Sequence, residues 1–508
     1  MSDQDKRILN FGDRLAIDRA VKELGNVRNA YELDQRAREL ASKGKPALKA
    51  LLRYLDASDP ALRGGLGRLA QHLDPEIAIP ALRIAAMDES RSDAARLNAV
   101  MILERYLGQE IDPVLAQRIP ASYDVARESG EEAIAIAETE PLVLVEYADQ
   151  LLDEPPEIVQ AVIQVIKDMD DPRRARLLMA VAAYGDLALQ SDIISALGAI
   201  QDPLAVYALQ TLWHLTTPEL RPLVQRQLQK LRMVGVSIGA QGALRALWSP
   251  VNAQGYSFLW FIHAHADDPN RGDLLTLILH DESGLVYASA YPDLDLNALP
   301  MPAPKRTVHR VRMMDSHHQV LLVELDPALG LRILDEALDL LVAHEAPWPG
   351  EIVVFGHWLW ADRTLPPREV AWPNLPKPAS PVDEKILSSL LEEPPFTGWI
   401  WLLPEFDALI ARRQEKALRK DGSLHEEVID ILLDGANRSL LGNRLLQQAR
   451  WLHLAREVKT ASVALAVHRA VEAGDRDHPF IRELAWRSLI SAAADRAMRR
   501  TLRMLSPD

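Results

Sequence analysis

The sequence contains no cysteine, and this absence excludes several kinds of site at once. The chain can form no disulfides, thiolate zinc sites or iron–sulfur clusters, and it has no cysteine nucleophile. Long apolar runs are also missing, because no stretch reaches the roughly 18 uncharged apolar residues that a membrane helix needs. The start, MSDQDKRILNF, lacks the apolar core of a signal peptide. We therefore expect a cytoplasmic protein with no membrane partner.

Two common catalytic signatures are absent as well. The chain has neither a Walker sequence nor a Gly-x-Ser-x-Gly elbow, which mark nucleotide hydrolases and serine hydrolases. A net charge of −15 disfavours nucleic-acid binding, because affinity for DNA depends on neutralising phosphates with basic side chains.

The clearest positive feature is a repeat in the first half of the 508 residues. Glu140-Pro141, Asp171-Pro172 and Asp202-Pro203 follow one another at intervals of 31 residues. Asp74-Pro75 extends the series towards the start, and Asp112-Pro113 falls loosely between. Such a period is typical of repeat architectures built from one small supersecondary unit.

Each acidic-Pro pair predicts the start of a helix. Asp caps the free amides of a first turn, and Pro at the first helical position loses no hydrogen bond there. An apolar segment with helical periodicity precedes the pairs, so one unit predicts helix, turn, helix. Aligning the units by their pairs places large aliphatic residues in two shared columns: Leu66 and Leu69, Ile163 and Ile166, Ile194 and Leu197.

The stretch Ser195-Ala196-Leu197-Gly198-Ala199-Ile200-Gln201-Asp202-Pro203-Leu204-Ala205-Val206 resembles the HEAT-repeat family, specifically its shorter bacterial variety. The resemblance covers about residues 40 to 235. It implies an α-helical solenoid of antiparallel helix pairs whose inner helices line a concave surface that holds a protein partner. We expect this span to be helical, without a sheet, and Leu197 to be buried between repeats.

From about residue 237 the periodicity shortens towards two, and eight of the 11 tryptophans lie between Trp248 and Trp401. His280 to Gly284 predicts a hairpin turn, and Asp326-Pro327 predicts the start of a helix over 327 to 344. We expect a small α+β domain with a mainly antiparallel sheet of four to six strands and this helix on one face. Strands are predicted over residues 254–266, 274–279, 285–291, 319–325 and 352–355.

Prolines are dense after Trp360, which excludes regular helix and central strand. We predict an extended linker pinned by Trp372 and Trp399, followed by a bundle of about five helices. The expected fold is thus multidomain and mainly α. Its predicted parts are a HEAT-like solenoid over 1–236, an α+β domain over 245–360, the Pro-rich linker over 361–380 and a C-terminal helical domain over 381–508.

The strongest chemical motif is His263, His265 and Asp267, which alternate along a predicted strand. Their side chains would leave one face about 6–7 Å apart, a usable spacing for metal ligands. The His-x-His pair also resembles the first ligand pair of amidohydrolase-type metal-dependent hydrolases, although the strand-helix alternation of their barrel is missing. Leu259 and Phe261 share that face and favour packing, so we predict no bound metal or cofactor. Histidines that could complete a site are His280, His317, His318 and His357.

Two glycine clusters are candidates for phosphate loops. Arg63-Gly64-Gly65-Leu66-Gly67 falls within a predicted repeat helix, which favours close helix packing instead. Gly235, Gly239 and Gly242 follow a helix rather than a strand, which favours a junction between domains.

Charge is also uneven along the chain. Residues 101–150 hold 11 acidic and three basic side chains, which indicates a solvated face or, alternatively, a docking surface for a basic partner. Near the end, four arginines share one helix face, where the helix dipole favours cations and an anionic partner is the alternative. These are Arg496, Arg499, Arg500 and Arg503.

Together these patterns favour a non-enzymatic scaffold or adaptor that binds a protein partner through the helical-repeat surface. A metal-dependent hydrolase with a site in the central domain is the first alternative, and a nucleic-acid-binding protein is the second. The oligomeric state, the partner's identity and the solenoid face that binds it stay open.

Overall fold

The computed structural model describes residues 16–27, 30–57, 59–88, 90–109, 122–239, 242–312, 319–360, 370–401, 403–412 and 422–505. The chain is mainly helical, with one six-stranded antiparallel sheet in the middle. It divides into two compact units. Unit 1 is Met1–Ala135 with Pro155–Met169, and unit 2 is Ile136–Glu154 with Asp170–Asp508. None of the described helices combines the length and the apolar character of a membrane span.

Every regular element described between residues 40 and 235 is helical, as expected. Residues 16–22 are also helical, and a 3-10 turn covers Glu23–Asn26. The helices are α1 Ala30–Ala41, α2 Lys45–Arg53, α3 Pro60–His72, α4 Pro75–Met87, α5 Asp93–Met101, α6 Ser122–Ile136, α7 Val143–Leu152, α8 Pro156–Asp168, α9 Arg174–Tyr184, α10 Leu187–Leu197, α11 Pro203–Leu215 and α12 Arg221–Met233, with a π-helical turn at Ile102–Tyr106.

Two of the acidic-Pro pairs begin helices as predicted, because their aspartate caps the first turn. Asp74 and Asp202 accept a hydrogen bond from the backbone N–H two residues on, and Pro follows as the first helical residue. Two predicted starts are shifted. The Asp171 carboxylate binds both the N–H and the guanidinium of Arg173, which holds a turn so that α9 begins only at Arg174. After Glu140 the chain turns again, and α7 begins at Val143. Asp112-Pro113 lies outside the described residues.

The predicted aliphatic columns are buried. Leu197 and Ile194 are 0% exposed, and Leu66, Leu69, Ile163 and Ile166 are equally enclosed. The glycine cluster lies inside α3, where a Cβ on Gly65 would come 2.7 Å from the Leu24 Cβ. A Cβ on Gly67 would likewise clash with the Tyr106 ring, so close packing explains Gly65 and Gly67, whereas a Cβ on Gly64 would meet no described atom within 4 Å.

The sheet contains six antiparallel strands in the order β4-β3-β2-β1-β6-β5, which confirms the expected antiparallel sheet. The predicted hairpin turn joins β3 to β4, with His280 opposite Gly284. Sequence reasoning missed β1 and the short, basic β5. The strands are β1 Leu244–Trp248, β2 Tyr256–Ala264, β3 Arg271–His280, β4 Gly284–Asp295, β5 Val308–Arg312 and β6 Gln319–Leu325.

Helix α13, Pro327–Ala343, packs on one face of the sheet, as predicted. Gly330 permits this approach, because a Cβ there would lie 2.6 Å from the Ala246 Cβ. The opposite face carries a separate apolar cluster of Leu247, Trp260, Ile262, Leu274 and Leu322.

The strand predicted over 352–355 is wrong. Those residues belong to α14, Gly350–Phe355, and α15, His357–Trp360, follows directly. A four-residue apolar run has no periodicity long enough to separate a buried strand from a buried helix. The two short helices contact β4 and β2 and also helices α7, α9 and α11 of unit 2.

Residues 370–383 form neither helix nor strand, and 361–369 lie outside the described residues. Trp372 holds the extended stretch as expected, since its ring lies against the guanidinium groups of Arg332 and Arg450 and its Nε1 donates to Glu336. The C-terminal module is helical. It consists of α16 Glu384–Ser389, α17 Pro404–Arg412, α18 Gly422–Leu432, α19 Gly435–Leu454, α20 Val458–Ala473 and α21 Pro479–Leu505.

Candidate functional site

The structure separates the predicted triad. His263 lies within β2 and His265 directly after it, but Asp267 is exposed in the turn that leads to β3. Both imidazoles lie against Asp273 of β3 instead: His263 Nδ1 is 3.5 Å from Asp273 Oδ2, and His265 Nε2 is 3.2 Å from Asp273 Oδ1. Among the described residues no hydrogen bond or ion pair joins Asp267 to either histidine.

Asp273 is an anion enclosed by hydrogen-bond donors. Burial would raise the pKa of its carboxyl group, but contacts with His263, the Asp293 N–H and His265 together lower that pKa below its usual range. The Asp293 N–H donates to Asp273 Oδ1 at 3.0 Å. An ionised carboxylate held between two imidazoles could orient them, but sequence reasoning missed it because Asp273 lies on the neighbouring strand.

His357 lies in α15, which packs against β2. Its Nδ1 is 3.1 Å from the Val354 carbonyl oxygen, and since a carbonyl can only accept, Nδ1 carries the proton. Burial and the positive charge of Arg176 lower the pKa of His357 to about 4, opposed by the Val354 carbonyl and by Asp273. His357 is therefore a neutral imidazole near pH 7.

One face of α11 meets α15 through ring contacts. The rings of Tyr207 and His357 are 5.6 Å apart, and His214 stacks on Trp360 at 4.4 Å with planes 8° apart. Thr211 lies between these two contacts on the same helix face, because residues 207, 211 and 214 follow helical spacing.

This meeting point carries polar atoms without partners. Gln210 Oε1, Thr211 Oγ1 and Trp360 Nε1 are buried and have no hydrogen-bond partner among the described residues. A buried, unpaired polar atom costs about 1–3 kcal/mol, so three in one place require an explanation. We call Arg176, Tyr207, Thr211, His214, His357 and Trp360 the junction cluster. A sequence signal exists: Gln210, Thr211 and His214 interrupt an otherwise apolar helix, PLAVYALQTLWHL.

The described residues contain one group of three close metal-type ligands, His280, Asp281 and Glu282, whose ligand atoms lie within 4.8 Å of one another. Arg444 of α19 already supplies a cation there, with Nε 2.7 Å from Asp281 Oδ2. The His280 Nε2–H donates to the Gln254 carbonyl, while Nδ1 accepts from the Glu282 and Ser283 N–H groups. Both nitrogens are thus engaged, and the group joins the sheet to the C-terminal module.

The remaining contacts between the sheet and this module are also structural. Arg444 Nη1, Trp399 Nε1 and Trp451 Nε1 donate to the carbonyls of Ala253, Val251 and Trp248, at 2.6, 3.2 and 2.8 Å. All three carbonyls lie at the connection between β1 and β2. This loop is therefore fixed by donors from the C-terminal module.

A second buried ion pair lies within the sheet. Arg245 binds both oxygens of Glu324 at 2.8 Å, and His309 Nε2 approaches Glu324 Oε2 at 2.9 Å. Because both carboxylate oxygens are engaged, the group stabilises the pairing of β1, β6 and β5.

Other predicted candidates stay apart from these clusters. His317 and His318 lie outside the described residues. The helix α21 includes Arg496, Arg499, Arg500 and Arg503 as predicted. Gly242 lies where a Cβ would meet the Ala264 carbonyl oxygen at 1.7 Å, so it permits close backbone approach beside β2.

Comparison with protein-family models, with curated proteins and with solved structures found no match. A function for this chain is therefore argued from its own geometry, and the HEAT-repeat resemblance stays a prediction.

Proposed function

We propose that the protein is a non-enzymatic adaptor or scaffold, and that it binds a protein partner through the helical surface predicted as a repeat solenoid. The observation that supports this is how the buried charged groups are used. Arg444 with Asp281 and Arg245 with Glu324 hold loops, strands and modules together. Such contacts build a rigid body that presents a surface, rather than a reactive group.

Helix α7 and the chain before it offer the surface best suited to a partner within unit 2. Glu140, Glu146 and Asp149 are exposed and form no ion pair among the described residues. Ile136 and Leu142, from the same stretch of chain, are each 38% exposed. Unpaired carboxylates next to exposed aliphatic side chains favour a partner whose docking surface is basic with an apolar centre.

The test is affinity capture with the full chain, followed by mass spectrometry. The variant Glu140→Lys, Glu146→Lys, Asp149→Lys reverses the acidic surface. A matched control reverses three exposed carboxylates of the C-terminal module, Glu384→Lys, Glu393→Lys and Glu405→Lys. We expect a stoichiometric basic partner that the first variant loses and the control retains, with binding that weakens as salt rises.

Two other outcomes contradict the proposal. One equivalent of metal in untagged protein that disappears in the double variant His263→Ala, His265→Ala would support the hydrolase alternative. Strong, salt-dependent retention on heparin without a protein partner would support nucleic-acid binding. A partner retained by both triple variants would place the docking surface elsewhere.

A further inference from the structure

Strand β4 is an open edge of the sheet. It is 12 residues long, lies at the end of the strand order and, among the described residues, pairs with β3 alone. The register with β3 shifts near Val286 and again near Pro292, and residues 287–291 pair regularly between these two points. The outward backbone N–H and C=O groups of this regular stretch can therefore pair with one more strand.

This edge lacks the charged side chains that keep other strands away. Residues 284–292 contain no charged residue, whereas β5 at the opposite edge carries His309, Arg310 and Arg312 within five residues. Charged side chains on an edge strand oppose the addition of another strand. The two edges of the sheet therefore differ, and β4 is the one suited to accept a strand.

Two tyrosines of β4 extend an apolar surface to this edge. Tyr287 is 54% exposed and Tyr291 is 41% exposed. They lie opposite Ile278 and Leu274 of β3, and Leu274 belongs to the apolar cluster on the face opposite α13. Residues that lie opposite each other in a ladder share a face, so the side chains of an added strand would pack beside both tyrosines.

Both ends of the edge carry an excess of negative charge. Near the start, Glu282 is exposed and lies 3.7 Å from Arg444, whose guanidinium already forms the buried ion pair described above. Near the end, Arg271 binds Asp293, and the exposed Asp295 forms no ion pair among the described residues. Lysine or arginine at each end of an added strand would be attracted to these carboxylates.

We propose that β4 binds an extended segment of a partner protein as a seventh, antiparallel strand. The segment has alternating apolar side chains beside Tyr287 and Tyr291 and a basic residue at each end. Main-chain hydrogen bonds provide affinity, and the alternate side chains provide specificity. A second copy of this chain is disfavoured, because antiparallel pairing of two β4 strands brings Glu282 of one copy towards Asp293 and Asp295 of the other.

The experiment is fluorescence anisotropy with the full chain and a labelled nine-residue peptide. Its five central residues alternate valine and threonine, and two lysines lie at each end. We expect saturable binding that weakens as salt rises. The same peptide with glutamates in place of the lysines should bind at least about tenfold more weakly.

N-methylation of the peptide tests strand pairing without altering the protein. An extended peptide directs alternate N–H groups to opposite edges, so two peptides are made, each methylated at the central amides of one edge. Only one of them should lose affinity, by about tenfold or more, because only one edge of an antiparallel strand pairs with β4. Equal affinities of the two methylated peptides would contradict strand addition.

Variants of the protein locate the peptide at the edge. Tyr287→Ala combined with Tyr291→Ala should weaken binding by about tenfold, since both side-chain contacts are lost. Tyr256→Ala is the matched control and should bind like the original protein, because Tyr256 is 40% exposed on the same face but lies on β2, two strands from the edge. Thermal unfolding of each variant separates lost binding from lost folding.

Three other results would overturn the proposal. The original protein would show no saturable binding of the lysine peptide if the edge accepts no strand. Equal loss in the Tyr256→Ala control would place the peptide on the face of the sheet rather than at its edge. A dimer in sedimentation that Tyr287→Lys dissociates would assign the edge to a second copy. The docking surface on α7 is tested separately, because its variants leave β4 unchanged.

Discussion

At the scale of single residues, Arg444 shows how a charged group can hold two parts of unit 2 together. Its side chain is 6% exposed and that of Asp281 is 4% exposed. The guanidinium also donates to the Ala253 carbonyl and lies 4.6 Å from the centre of the Trp401 ring. Removing one member of such a pair leaves the other charge buried, which costs more than the pair itself contributes.

We therefore predict that Arg444→Met lowers the free energy of unfolding by about 3–5 kcal/mol. Arg476→Ala, which removes an exposed arginine from the same module, should cost at most about 1 kcal/mol. Urea unfolding followed by tryptophan fluorescence measures both. Equal costs would show that the Asp281 carboxylate finds water or another partner once Arg444 is gone.

Gly255 is required at this contact for two reasons. Its φ is +91°, and a Cβ would lie 2.0 Å from Asp281 Oδ1 and 2.7 Å from Arg444 Nη2. Gly235 has a similar φ of +84°, but a Cβ there would meet no atom of the described residues within 4 Å. Comparing alanine variants of the two glycines therefore separates the free-energy cost of the backbone conformation from that of the steric conflict.

Gly235→Ala should cost about 1–2 kcal/mol, the penalty of a left-handed conformation. Gly255→Ala should cost clearly more, because the added methyl group also displaces the buried ion pair. Chemical denaturation of the two variants under the same conditions makes the comparison. A Gly255→Ala cost no larger than that of Gly235→Ala would mean that the ion pair shifts without loss.

At the scale of elements, the periodic patterns were reliable and the short segments were not. Helices α4 and α11 begin at their predicted Asp-Pro pairs because the cap is local chemistry. The prediction for Glu140 was less accurate, since glutamate is not among the preferred caps. Residues 352–355 are helical rather than extended. For so short an apolar run, the elements packed against it determine the secondary structure, not its own sequence.

The aliphatic column makes one quantitative prediction. Leu197→Ala should destabilise the protein by about 2–5 kcal/mol, because the removed side chain leaves a cavity at a position with no exposure. Leu187 lies on the same helix but is 53% exposed, so Leu187→Ala should cost less than about 1 kcal/mol. Guanidinium unfolding distinguishes them, and similar small values would mean that Leu197 is misassigned to the column.

At the scale of the whole molecule, the junction cluster joins residues that are far apart in sequence. Arg176, Tyr207 and His357 come from two helices of the first half and a short helix that follows the sheet. Asp273 of β3 lies close enough for its charge to act on His357. Asp273 and the Val354 carbonyl favour the protonated form of His357, while burial and Arg176 disfavour it. The net effect is a folded state that binds this proton less readily than the unfolded chain.

The pKa of about 4 for folded His357, against roughly 6.5 when unfolded, fixes the sign of a pH effect. Below about pH 6.5 His357 becomes protonated in the unfolded chain but stays neutral in the folded protein. The free energy of unfolding therefore falls until about pH 4, and this contribution then stays level. The loss should reach up to about 3 kcal/mol.

His357→Gln should remove most of this loss between pH 7 and pH 4.5 in urea unfolding. The control His344→Gln changes an exposed histidine and should leave the pH dependence as it was. An unchanged slope in His357→Gln would show that other groups cause the acid sensitivity.

The sequence by itself determined the helical first half, the buried columns, the antiparallel sheet with its flanking helix and the helical C-terminal module. These features follow from periodicity, caps and turns, which act over a few residues and can be recognised in any fold. Only the tertiary structure decided that His263 and His265 face Asp273 rather than Asp267, and that Arg444 pairs with Asp281 in the turn between β3 and β4. It also decided that Tyr207 contacts His357 and that His214 stacks on Trp360. The reason is physical: burial and the pairing of charges depend on which distant elements pack together, and that is a property of the whole core rather than of any local pattern.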